Sequence, residues 1–240
     1  MWSITKKEIV QFFGSLTGFL AIVLFLLING LFLFVFTDSS ILDFGYATLD
    51  AFFNLAPWVF AFMVPAISMR SFSEEYKAGT FELLKTMPLN SWQLVLGKYL
   101  AILLIMLIIL LPTLIYVYTI RALSATGETD GGAIAGSYAG LLLLAAVFAA
   151  IGIWCSSFTS NALVAFLISV FACITLYFGF TALSKLPVFT GGADYFIDML
   201  GIDGHYRSMS RGVLSIRDVV YFLSVTTFFL YLTVLNIRKR

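Results

Sequence analysis

Residues 99–120 read YLAILLIMLIILLPTLIYVYTI, twenty-two positions without one Asp, Glu, Lys, Arg or His. A helix of that length, rising 1.5 Å per residue, covers about 30 Å, the thickness of a bilayer's hydrocarbon core. A membrane strand would need only about ten residues and would alternate apolar with polar side chains, so the stretch predicts a helix. Five further runs of the same kind occur, at Phe19–Phe36, Ala51–Met69, Ala133–Trp154, Ala162–Leu183 and Val219–Ile237, and none carries an acidic or basic side chain. The expected fold is all-α: a polytopic membrane protein with six transmembrane helices in one domain, residues 1–240.

Composition agrees. The chain is 61% hydrophobic and only 11% charged, whereas a soluble domain is about 25% charged. A net charge of +1 provides no general basic field, so nucleic acid is not an expected partner. Cys155 and Cys173 form no CxxC motif, and His205 is the single histidine. Neither a disulfide framework nor a metal site is expected.

The basic residues set the orientation. Six spans put both termini on one side, together with Lys6, Lys7, Arg70, Lys77, Lys85, Lys98, Arg238, Lys239 and Arg240; the opposite side holds Arg121, Lys185, Arg207, Arg211 and Arg217. Basic residues concentrate on the cytoplasmic side of membrane proteins, so cytoplasmic termini are expected. Before the first span, Trp2, Ile9, Phe13 and Leu16 are spaced to share one helix face, which reads residues 1–17 as a helix lying along the membrane surface. Residues 184–218, between the fifth and sixth spans, are semi-apolar but broken by Gly, Pro and Asp. Two readings fit them: short re-entrant helices on the outer side, or an exposed loop.

The cytoplasmic insert 70–98, RSFSEEYKAGTFELLKTMPLNSWQLVLGK, is the most informative connection. Gly79 permits a turn, Thr80 suits an N-cap, and Phe81, Leu83, Leu84 and Met87 recur at helical spacing until Pro88 ends the run. Asn90 and Ser91 suit the cap of the next helix, and Lys98 anchors the third span at the interface. A helix of two turns cannot bury its own Phe, Leu and Met side chains. They need a partner surface, either another protein or the chain's own membrane helices.

The pattern Glu75–x3–Gly79–Thr80–x–Glu82–Leu83–Leu84–x3–Pro88, followed by Gly97–Lys98 at the head of a span, resembles the cytoplasmic loop of ABC-2 type transporter permeases of the type V exporter class. The strings MRSFSEEYKAGTFELL, LAPW at 55–58 and HYRSMSRGVLSIRDVVYFLSV are similar to the permease subunit of the gliding-motility-associated ABC transporter. The ER-x-x-GT pattern common in ABC-2 permeases is altered, because Tyr76 follows Glu75. No role of that arginine transfers to this chain.

The resemblance implies an N-terminal elbow helix, a coupling helix within 70–98 and a re-entrant outer segment. It also implies two copies of a separate ABC ATPase seated on Glu75, Gly79, Thr80, Phe81, Glu82, Leu83, Leu84 and Pro88, with Phe81, Leu83 and Leu84 in its groove and the glutamates at the rim. ATP and Mg would belong to that ATPase, with no cofactor held by this chain. The function implied is a permease subunit in a bacterial inner membrane, coupling ATP hydrolysis to export or to an extracytoplasmic process such as gliding motility. Its membrane partner would be a second copy, or a second permease-type subunit with an extracytoplasmic domain.

The residues agree with a subunit that is not itself an enzyme. Gly97–Lys98 is followed by Tyr99, and Trp92 stands where a P-loop requires Gly, so no nucleotide-binding loop is present. Gly132, Gly136 and Gly140 repeat every four residues, a spacing that lets helices approach closely, within the subunit or between subunits. Pro57, Pro65 and Pro112 interrupt spans, as structural kinks or as bending points. Three other functions compete. An ion-coupled transporter usually keeps charged groups inside the bilayer, and these spans have none. A membrane protease built on Glu74–Glu75 lacks the arginine its family requires where Gly79 stands, and His205 falls on the opposite side. A membrane anchor that docks an ATPase without translocation is compatible with the same residues.

Overall fold

The computed structural model describes residues 1–36, 48–82, 90–123, 130–186 and 193–239, and every regular element among them is helical. Helix α1 is Trp2–Phe13 and α2 is Leu16–Phe34, the two bent by 69°. Ser15 starts α2 by accepting a hydrogen bond on its hydroxyl from the Gly18 N–H at 3.2 Å, as an N-cap serine does. Then come α3 (Asp50–Ser68), α4 (Arg70–Ala78), α5 (Ser91–Leu110), a 3-10 turn at Leu111–Thr113, and α6 (Leu114–Leu123). They are followed by α7 (Gly131–Ser156), α8 (Ala162–Ile174), a π turn at Thr175–Gly179, α9 (Phe180–Ser184), α10 (Ala193–Asp198), α11 (Ile202–Ser210) and α12 (Ile216–Lys239).

Among the described residues, five helical rods are long and apolar enough to cross a membrane, and six when the bent pair α1–α2 counts as one span. The protein is an all-α polytopic membrane protein. Large apolar side chains such as Phe19, Leu163, Leu167 and Phe171 cover its outside, as a hydrocarbon solvent favours.

Helix α7 is the axis of the bundle, packed against α3, α5, α8, α11 and α12. Its apolar stretch is 72% buried, against 28% for the α8–α9 rod. The reason lies in side-chain size. Ala145, Ala146, Ala149, Ala150 and Gly152 present almost no bulk, so neighbours close in and gain dispersion contacts where no hydrophobic effect drives association. At Gly152 the approach is closest, because a Cβ there would run into the Ser68 hydroxyl of α3.

Two details differ from the plain run of apolar spans. The second span does not end at Met69; α4 carries the helix on from Arg70 to Ala78 after a one-residue break. RSFSEEYKA contains no Gly or Pro, so nothing in it stops a helix before Gly79. The fifth span contains the π turn at Thr175–Gly179, which no residue in that segment announces. Pro57 and Pro65 lie inside α3, and Pro112 occupies the 3-10 turn, where the Thr113 hydroxyl donates to the Leu110 carbonyl at 2.7 Å.

Candidate functional site

The polar chemistry on the side of the termini gathers around Lys98, a lysine 1% exposed in the first turns of α5. An ammonium group has three N–H donors and no acceptor. Here all three are used. Lys98 Nζ donates to Glu8 Oε1 of α1 at 2.7 Å, to the Ser71 carbonyl at 2.6 Å and to Glu75 Oε1 at 2.8 Å, the last two on α4. The Phe72 ring lies beneath it, 5.1 Å from the ammonium to the centroid, a cation–π distance. Lys7 Nζ stands 3.9 Å from Glu75 Oε1, so two lysines face two glutamates and the cluster is neutral. A charge taken out of water persists only where its partners are this complete.

Each helix is held in place by its own device. On α1, the Thr5 hydroxyl is fully buried and donates to the Gly97 carbonyl at 2.9 Å, while Gly97 leaves room for Ile4. The side of α1 turned inward is thus mixed, with Thr5 and Glu8 among the half-buried Ile4, Ile9, Phe12 and Phe13. The expected apolar face divides: Ile9 and Phe13 are half-buried against the core, while Trp2 and Leu16 are 69% and 77% exposed, as suits residues lying on lipid. On α4, the Ser156 hydroxyl at the end of α7 accepts from the Phe72 and Ser73 N–H groups at 3.0 and 3.1 Å and donates to the Met69 carbonyl at 2.9 Å. A residue 84 positions away therefore does the work of an N-cap. On α5, Asn90 and Gln93 form a capping box, the Asn90 N–H donating to Gln93 Oε1 at 3.2 Å.

Gly79 closes α4 in the left-handed region at φ 68°, and the Thr80 N–H reaches the Glu75 carbonyl at 3.1 Å. That geometry is a Schellman ending, which only glycine adopts without strain. The chain reverses, and Phe81 folds against Tyr76 and Phe72 at ring distances of 4.7 and 6.5 Å.

The residues expected to face an ATPase therefore divide. Gly79, Thr80 and Glu82 are exposed. Phe81 is 6% exposed and Glu75 9%, and both are turned into the chain's own interior rather than outward. Aromatic neighbours one turn apart on α4 and the Lys98 ammonium supply the partners these two would otherwise seek elsewhere. Leu83, Leu84 and Pro88 lie outside the described residues. Glu74 pairs with Arg70 at 3.3 Å while Glu75 turns to Lys98, so the adjacent carboxylates serve separate cations.

The opposite end of the bundle is built around α11. Gly136 lies against Gly212 and Gly140 against Met209, with a Cβ at either glycine meeting atoms at 3.0 Å. Gly132 sits instead at the α7 N-terminus, its N–H donating to the Asp130 carboxylate at 3.1 Å. Tyr206 donates to the Phe53 carbonyl at 2.7 Å. His205 is 6% exposed, with Nδ1 2.6 Å from Asp218 Oδ1 and Nε2 2.9 Å from the Met199 carbonyl. Arg207 pairs with Asp203, and that hydrogen bond raises the guanidinium's pKa above its ordinary value. Residues 193–210 are thus two short helices folded back onto the bundle. Among the described residues no group of three or more His, Cys, Asp or Glu could hold a metal ion.

A bundle of membrane-crossing helices around a small-residue axis, with a charged joint at one end, defines a multi-pass membrane protein of the transporter type. Residues 38–237 match the family described as ABC-2 family transporter protein, and the chain belongs to it. Comparison with curated proteins finds no match. The chain is therefore a membrane permease subunit of an ABC transporter, a class that normally works with an ABC ATPase partner.

Proposed function

We propose that this permease subunit couples ATP hydrolysis on a separate ATPase to movement of its membrane helices, driving export or an extracytoplasmic process such as gliding motility. The supporting observation is the Lys98 joint. One ammonium group ties α1, the α4 end of the loop and the head of the third span together. Force applied to the loop near Gly79–Glu82 therefore passes from α4 into α5 through two charge-assisted contacts, to Ser71 and Glu75, rather than being lost in a flexible connection.

In this reading the termini are cytoplasmic, two ATPase copies dock on the 70–98 insert, and Thr80, Glu82, Leu83 and Leu84 meet them. ATP and Mg are held there, not by this chain. The second half of the pathway is another permease-type subunit or a second copy. Leu84→Asp should abolish co-purification of the ATPase, because a charge would be buried without a partner in the contact. Undiminished ATPase recovery with that variant would remove the docking role. A hydrolysis-deficient ATPase that still supports the cellular phenotype would make the chain an anchor instead.

A further inference from the structure

Two cavities on the Lys98 side of the bundle adjoin and share part of their walls, together forming a trough. The first, about 680 Å³, lies between α1, α2, α3, α5 and α8, with walls such as Leu24, Phe25, Phe62, Ile102 and Ile105. The second, about 700 Å³, holds Arg70, Glu74, Lys77, Ser160 and Asn161. Ala66, Met69, Arg70 and Phe166 line both. Each volume falls within the roughly 300–1,000 Å³ of small-molecule sites.

Three features choose the occupant. Polarity changes along the trough, from hydrocarbon walls to a mouth of ions, hydroxyl and amide. Next, Leu20, Leu24, Trp58 and Phe62 at the apolar end are 50%, 54%, 49% and 50% exposed, so the trough opens sideways to the bilayer. Last, the mouth is cationic. Glu74 balances Arg70 at 3.3 Å, while Lys77 is exposed and has no ion pair among the described residues. Glu8, which also borders the first cavity, is already neutralised by Lys98 at 2.7 Å.

We propose that the trough holds an anionic phospholipid, with an acyl chain along α2 and α3 and its phosphate headgroup at Lys77 and Arg70. The site binds a resident lipid whichever side of the membrane is cytoplasmic, and it does not depend on an ATPase.

The test is lipid retention. The complex purified from its own membrane is reconstituted in an equal mixture of phosphatidylglycerol and phosphatidylcholine, re-extracted in mild detergent, and its bound lipid measured by native mass spectrometry. Wild-type protein should retain phosphatidylglycerol preferentially. Lys77→Ala, at an exposed position that leaves the fold intact, should lower that preference about fivefold, the loss expected for one basic residue near a charged lipid surface. Ala66→Phe, which fills the junction of the two cavities, should reduce retention of both lipids, with an unchanged gel-filtration profile showing that the complex is assembled. No retained lipid in the wild type, or a preference unchanged by Lys77→Ala, would overturn the proposal. So would an efficient disulfide between Phe62→Cys residues of two copies, which would place a second subunit in the trough.

Discussion

Lys98 Nζ and Glu8 Oε1 lie 2.7 Å apart although 90 residues separate them in the chain. The contact closes the elbow helix onto the third span, and with Glu75 it puts three ionised groups where the surroundings are largely protein.

Removing the cation should therefore harm more than removing the whole cluster. Lys98→Met leaves Glu8 without its partner and Glu75 with only Lys7 at 3.9 Å, a change that costs about 3–5 kcal/mol when a pair is fully buried and less here, since Lys7 remains and Glu8 keeps some solvent contact. The triple variant Lys98→Met, Glu8→Gln, Glu75→Gln should recover much of that loss. Thermal unfolding of the detergent-solubilised protein checks both; equal melting of Lys98→Met and wild type would show that the joint contributes nothing to stability.

The second prediction concerns the axis of the bundle. Gly152→Ala should destabilise by about 1–3 kcal/mol, the usual cost of overpacking, because the new methyl meets both the hydroxyl and the Cβ of Ser68. Ser68→Gly in the same chain should restore the wild-type melting temperature, whereas Ser68→Ala should not, since its Cβ remains. A double-mutant cycle with no coupling between these positions would contradict the packing.

At the loop, Gly79→Ala should cost about 1–2 kcal/mol through backbone strain alone, since φ is 68° and no atom lies within 4 Å of a Cβ built there. Gly79→Asn should cost less, asparagine being more tolerant of the left-handed region. Protease sensitivity of the 70–98 insert in the solubilised protein is the readout, and cleavage should follow the order Ala, Asn, Gly from fastest to slowest.

Ser156→Ala should loosen α4 without disturbing α7. It strands the Phe72 and Ser73 N–H groups, at about 1–3 kcal/mol for an unsatisfied buried group, while the Met69 carbonyl keeps the Ser73 hydroxyl as a donor. Hydrogen exchange should quicken across residues 70–78 and stay slow within 141–153. Unchanged exchange in α4 would mean that the hydroxyl is not what pins it.

The spans were legible because charge-free length is a one-dimensional property, so Tyr99–Ile120 could be read as a helix without any contact being known. The turn at Gly79 and the cap at Asn90 were legible for the same reason, each being a local requirement of the backbone. The joint was not. Lys98 reads as an interfacial anchor, and only the folded chain brings Glu8, 90 residues earlier, and Glu75, 23 residues earlier, to its ammonium. One signal was present: Thr5 and Glu8 are polar residues sharing one helix face with Ile4, Ile9 and Phe12. Polar residues set among apolar ones that bury need partners of their own, and that could have directed attention to a lysine at the head of a span. The inward turn of Phe81 had no such signal, since an amphipathic segment looks the same whichever surface covers it.

The distant partners of the elbow helix bear on how the protein is made. Synthesis delivers Thr5 and Glu8 long before Gly97 and Lys98, their partners 92 and 90 residues downstream. Until the ribosome has passed that point, the first helix rests on the bilayer with its polar residues in water. It locks only once the third span has entered. A nascent chain interrupted before Gly97 thus holds neither partner of Thr5 and Glu8, and its first helix lacks the two polar contacts that fasten it to the bundle.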